Sequence, residues 1–360
     1  MTRAEFAAAA ASVAFVPATP RARLATRAER TDYAEPSGIS DVARVLDELD
    51  RRGAPIARGS IGTTGEGRAI PYAVASRPIV RAPEEARALA RPIVLVRAAA
   101  DAGKVEGTDA TLAMLRDLCV STQKTLLEEI VLIVLPLFNV DGSERSGPVA
   151  ANAPMQNGPP FVGTRTNAAG IDLDADFVVA AAPETRALLA FVDAWRPDAF
   201  VDLSSDGASF VAFGATYAPA LHPAAATAGA FVRDEMLHAV RAEMRTAFEI
   251  ETSTCGRFGR DAPLPEPPPP GDAGYGWFAG DHRPRTCVNA MGVRGIPAIR
   301  VAAYAHDAFE RRIFTTRASV ETILGFCSDR AARVRAVAAA GARWNGGGVP
   351  IRAALAGTPA

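Results

Sequence analysis

The sequence predicts an α/β fold: a mixed, mostly parallel central sheet with helices on both faces. Three observations point there. Residues 92–98 and 130–138 are continuous apolar runs, the kind of strand that is buried on both faces. A helical stretch over about residues 107–127 separates them, which gives a βαβ unit. The alternation then continues, with strands at 199–203 and 296–303 set among helices at Pro183–Trp195, 224–248 and 310–340.

The remaining elements follow in order. Residues 1–24 read as an N-terminal lead, helical or disordered, with an apolar run at 6–16 after Arg3. A worn signal peptide is the alternative reading, although Glu5 spoils its charged start. Ser40 can cap a helix whose Val42, Val45, Leu46 and Leu49 share one face. Ile56–Thr63 and Ala69–Ala75 read as a strand pair around the tight turn Gly65-Glu66-Gly67. Pro183 and Glu184 suit the first turn of their helix. The proline run within residues 264–271 reads as a stiff loop and the strongest internal breaker. The expectation is one domain over residues 25–340 and a tail over 341–360.

Composition excludes some classes. Lysine plus arginine total 39 and aspartate plus glutamate 40, with no basic block, so nucleic acid is not expected as a partner. No segment approaches the ~20 apolar residues that span a bilayer, so a membrane is not expected either. Cys119, Cys255, Cys287 and Cys327 are scattered, with no Cys-x-x-Cys, and are read as reduced thiols rather than a zinc site. A cytoplasmic location is expected, with a secreted or periplasmic one as the alternative if residues 1–20 act as a signal.

Several motifs stand at strand ends. Asp101-Ala102-Gly103-Lys104 closes the run that starts at Pro92, and Asn139-Val140-Asp141-Gly142 closes the next. Arg165-Thr166-Asn167 precedes Asp172-Leu173-Asp174-Ala175-Asp176-Phe177. Asp202-Leu203-Ser204-Ser205-Asp206-Gly207 ends a third strand, and the strand around Pro297 runs to Ala302. In order and spacing this set resembles the zinc carboxypeptidases over roughly residues 25–335. The resemblance implies that family's fold, with these strand ends converging on one cleft.

The resemblance also implies a set of losses. The family's first two zinc ligands, His-x-x-Glu, fall at Asp101 and Lys104, and its third, a histidine, at Ser204. An ammonium has no lone pair to offer a metal and repels a dication. The general base falls at Ala302, which has no titratable group. The Asn-Arg pair that clamps a terminal carboxylate falls at Asp174 and Ala175, so a negative charge replaces part of a cationic clamp. Arg165, an oxyanion-stabilising arginine by resemblance, and Asp172 are kept. The four histidines, His222, His238, His282 and His306, restore no ligand set and read as surface or capping residues, with His306 nearest the cleft.

The expected function is therefore that of a catalytically degenerate carboxypeptidase-like protein. Its cleft residues Asp101, Lys104, Arg165, Asn167, Asp172, Asp174, Ser204 and Asp206 would bind a peptide, a small molecule or a protein partner. No cofactor is expected, and zinc is expected to be absent. Lys104 would replace the metal's charge by pairing with Asp101, Glu106 or Asp172. Two alternatives stay open. Ser204 and Lys104 could form a new acyl-transfer pair, which the acidic surroundings oppose. Residual metallopeptidase activity is the other, on an all-oxygen site of Asp101, Asp174 and Asp206.

Overall fold

The computed structural model describes residues 24–121, 126–206, 213–259 and 276–341. Eight strands form its main sheet: β1 (Ile56–Thr63), β2 (Ala69–Ala75), β3 (Ile93–Arg97), β4 (Val131–Leu135), β5 (Ala199–Asp206), β6 (Ala215–Pro219), β7 (Thr252–Thr254) and β8 (Ala298–Tyr304). Their order across the sheet is β1-β2-β4-β3-β5-β8-β6-β7. The four central strands β4, β3, β5 and β8 run parallel. Antiparallel pairings join β1 to β2, β2 to β4 and β6 to β8. The mixed, mostly parallel architecture expected from the sequence is thus the observed one.

Strand sequence explains the layering. Alternate residues of the central strands point to opposite faces. Val94, Val96, Val201, Leu203, Ile299 and Val301 share one core with α1 (Ile39–Arg51), α2 (Glu106–Val120), α4 (Leu237–Phe248) and α6 (Phe309–Asp329). Ile93, Leu95, Ile133, Phe200 and Ala298 share the other with α3 (Pro183–Trp195) and α5 (Cys287–Val293). On α1 the predicted face is the buried one, with Val42, Val45, Leu46 and Leu49 at most 3% exposed. At roughly 25 cal/mol per Å² of apolar surface removed from water, such faces hold the layers together without any metal.

Several boundaries differ from the sequence reading. The cap of α1 is Gly38, and the Asp41 carboxylate accepts from its amide, so Ser40 lies inside the helix. The helix read at 224–248 is a 3₁₀ turn, a short α-helix, a π turn at Phe231–Met236 and α4. The helix read at 310–340 breaks at Arg330 into α6 and α7 (Ala331–Gly341). Strands β6 and β7 have no counterpart in the sequence reading. The expectations for residues 1–23, the proline run at 264–271 and the tail beyond Gly341 fall outside the described residues.

Candidate functional site

The parallel register brings the charged residues of three strands into one row. Arg97 on β3 stands opposite Asp202 on β5, which stands opposite Arg300 on β8. Arg97 is completely buried. Its Nε and Nη2 donate to Asp202 Oδ1 at 2.9 and 2.6 Å, and Nη2 also donates to Asp174 Oδ1 at 3.1 Å. Arg300 donates from Nε and Nη2 to Asp202 Oδ2 at 3.1 and 3.0 Å, and from Nη2 to Asp174 Oδ2. The four side chains close a ring of two cations and two anions. Phe138, Phe177 and Phe200 surround the Arg97 guanidinium, with ring centroids 5.2–5.9 Å from Cζ.

Burial and charge compete in this ring. Burial alone would push the Asp174 carboxyl up, but Arg300 and Arg97 outweigh it and hold the carboxyl low. Burial would likewise lower Arg97 and Arg300, and the facing aspartates raise them instead. Cys287 opens α5 beside the ring, and burial pushes its thiol well up. The sequence reading set Asp174 as a charge that would repel a ligand carboxylate. The structure corrects this, because two arginines neutralise it.

A second group of charges lies at the rim, in the loops beyond the strand ends. Asp101 is half-buried and accepts from the Gly103 amide at 2.9 Å. Burial raises its pKa, while Lys104 and Arg165 oppose that rise. Arg165 is 66% exposed and holds Asp172 through two hydrogen bonds, 3.0 and 2.8 Å long. Asp172 also accepts from the Asp174 amide at 3.0 Å, which links rim to interior. Among the described residues Lys104 forms no ion pair, contrary to the expected pairing with Asp101, Glu106 or Asp172. Two arginines explain part of this: Arg165 engages Asp172, and Arg312 lies 3.4 Å from Glu106.

The other candidates divide. Ser204 is half-buried and stands in register with Ala302, which stands opposite Thr216 on β6. This places the two positions on one face of the sheet, two residues beyond the arginine row. Asn167 does not serve the cleft. It is buried, donates to Glu184 at 3.1 Å and accepts from the amides of Ala169 and Ile171, so it shapes its own loop. Asp206 ends β5 in register with Tyr304. Among the described residues no three His, Cys, Asp or Glu side chains are grouped to hold a metal. His222 caps a helical turn by accepting from the Ala224 amide, and His306 lies against Tyr304 with centroids 5.2 Å apart.

Two motifs turn out to be scaffolding for the cleft. Asn139 donates to the carbonyls of Thr164 and Arg165, at 3.4 and 3.2 Å, and so fixes the loop that presents Arg165. Asp141 accepts from Thr64 Oγ1, the Glu66 amide and Arg68, tying the β1–β2 turn to the end of β4. The sequence reading missed Arg97, Asp202 and Arg300 as a unit. Their signal was a charge inside each of three otherwise apolar strands, in the order plus, minus, plus.

A sequence model described as zinc carboxypeptidase matches residues 42–224. It takes in Asp101, Lys104 and Ser204 and stops short of Ala302. None of the curated protein sequences matches the chain. Several solved structures share its fold. A metallo-carboxypeptidase from Burkholderia cenocepacia is 15% identical over 82% of this chain and 70% of its own, with a TM-score of 0.56. The carboxypeptidase A of Helicoverpa armigera is 16% identical over 93% and 79%, with a TM-score of 0.53. A Pseudomonas aeruginosa metallo-carboxypeptidase in complex with (2-guanidinoethylmercapto)succinic acid is 17% identical over 81% and 69%, with a TM-score of 0.52. Among the described residues no helix is long and apolar enough to cross a membrane.

Proposed function

We propose that this chain, which belongs to the zinc carboxypeptidase family, uses the family's cleft to bind a ligand and not to hydrolyse a peptide bond on zinc. The observation that carries the reading is charge closure. Arg97, Arg300, Lys104 and Arg165 face Asp101, Asp172, Asp174 and Asp202, four cations against four anions. A dication added to this set would leave a half-buried site with two excess positive charges, at a large desolvation cost.

The residues at the ligand positions do not fit zinc. Asp101, Lys104 and Ser204 offer one carboxylate, one ammonium and one hydroxyl, and a lone carboxylate gives weak affinity. At Ala302, opposite Ser204, a methyl stands where a base would have to act. The ammonium of Lys104 and the ring around Asp202 supply fixed positive charge in the metal's stead. The Ser–Lys acyl-transfer reading gains no support, because Lys104 and Ser204 make no hydrogen bond with each other.

Elemental analysis after dialysis tests the proposal. The expected result is far less than one zinc per chain. About one zinc per chain, lost on Asp101→Ala, would overturn it. Rebuilding the ligands with Asp101→His, Lys104→Glu and Ser204→His should give a zinc-binding chain that remains essentially inactive. The missing base alone costs ~10²–10⁴-fold, so activity should rise only when Ala302→Glu and Ala175→Arg are added.

A further inference from the structure

We propose that the cleft seats an oxyanion, the carboxylate or phosphate group of a small molecule, on Lys104, Ser204 and Thr216. The inference rests on the ligand-binding reading above and names the chemistry of that ligand.

The cleft's acceptors are engaged. Asp101 takes the Gly103 amide, Asp172 takes Arg165, and Asp174 and Asp202 share Arg97 and Arg300. Its donors are not. Among the described residues the Lys104 ammonium and the Ser204 hydroxyl have no side-chain hydrogen bond. The Thr216 hydroxyl is 1% exposed and also lacks a partner. A buried hydroxyl without a partner costs free energy, so a native fold places one where something accepts or donates. A cleft with open donors and filled acceptors is complementary to an acceptor-rich, negatively charged group.

The layout suits such a group. Ser204 and Thr216 flank Ala302 in one cross-strand row. Directly opposed residues of neighbouring strands lie ~5 Å apart at Cβ. The two hydroxyls therefore stand on either side of the Ala302 methyl, at a separation that two hydrogen bonds of ~2.8 Å and an oxyanion between them can span. Lys104 reaches the same edge. Its loop leads into Gly107, where an added Cβ would lie 3.1 Å from Leu203, the neighbour of Ser204 on β5. Lys104 and Ser204 are half-exposed and form the mouth of the site, while Thr216 forms its inner end.

Calorimetric titration of the metal-free protein with inorganic phosphate and with succinate tests the proposal. Saturable binding of at least one anion is expected, and the preferred anion identifies the source as phosphate or carboxylate. Lys104→Gln should weaken it by at least ~10-fold, since a hydrogen bond to a charged group is lost. Thr216→Val, nearly isosteric, should weaken it by ~3–10-fold while thermal unfolding confirms an intact fold. The proposal is overturned if neither anion saturates the wild type, or if Lys104→Gln binds both as tightly. Failure in a zinc-free protein refutes the anion site alone, whereas stoichiometric zinc refutes the reading beneath it.

Discussion

The interior ring of Arg97, Asp174, Asp202 and Arg300 and the rim group of Asp101, Lys104, Arg165 and Asp172 contain the same charges in different surroundings. In the ring every carboxylate oxygen has a guanidinium partner, and Arg97 has no exposed surface. At the rim Arg165 is 66% exposed and Lys104 has no ion pair. Depth decides what a charge does here. Buried charges are locked because leaving one alone in a low-dielectric core is costly. Exposed ones remain available, because water competes for them at little cost. The ring therefore belongs to folding and the rim to binding.

The strongest test of that division removes one member of the ring. Arg97→Met should destabilise the fold by about 3–5 kcal/mol, since Asp202 and Asp174 would then share a single cation. Urea denaturation followed by circular dichroism measures it. A loss under about 1 kcal/mol would mean that the ring is no more than a surface-like pair. Adding Asp202→Leu sharpens the point, because Arg300 and Asp174 would remain as a neutral pair. The double variant should recover at least roughly 2 kcal/mol of the single variant's loss, a coupling expected of residues in direct contact. A double variant less stable than the single one would show that packing, not charge balance, holds the ring.

A buried carboxylate without a cation gives an intermediate case. Asp109 on α2 is completely buried and accepts from the Ser37 amide and hydroxyl at 2.9 and 2.7 Å and from the Ala28 amide at 3.2 Å. Burial outweighs these hydrogen bonds and pushes its pKa up to about 6. Asp174, equally in need of partners, is held low because its partners are charged. The sign follows from linkage. A carboxyl with a raised folded pKa favours folding in its protonated form, so its contribution is full below pH ~4 and lost as pH rises through about 6. The span is roughly 3 kcal/mol. Asp109→Asn cannot titrate, so the stability difference between wild type and variant should change by up to that amount between pH 4.5 and pH 7.5, in favour of the variant at the higher pH. A difference that does not vary with pH would show that Asp109 titrates normally.

Legibility in the sequence follows the same contrast. β1, β2 and α3 were readable to the residue, because alternation, a Gly-Glu-Gly turn and an N-terminal Pro-Glu are local signals. β6 and β7 were not. Ala-Thr-Tyr-Ala-Pro is short and carries no long apolar run, and its strand identity comes from pairing with β8. At the site, motif order placed Asp101, Lys104, Ser204 and Ala302 at the strand ends, and the register sets Ser204 beside Ala302. The ring was hidden because Arg97 and Arg300 are 203 positions apart, and only the parallel register puts both beside Asp202. Lys104's lack of an ion pair was hidden for a related reason. The sequence shows which carboxylates are near in number, not which arginines reach them first.

The smallest effect expected lies at the rim. Arg165→Gln removes one exposed cation and leaves Asp172 half-buried, still accepting from the Asp174 amide. Hydrogen bonding to Asp172 raises the Arg165 pKa, yet the pair is open to solvent and water replaces most of what is lost. The stability change should stay under about 1 kcal/mol and shrink further in 0.5 M salt, where exposed pairs are screened. Ligand binding is the sharper readout. Arg165 lies in the electrostatic surroundings of Asp101 and Lys104, so its removal should weaken oxyanion binding by a few-fold without altering the fold. A destabilisation as large as that of Arg97→Met would place Arg165 among the structural charges and erase the distinction between ring and rim.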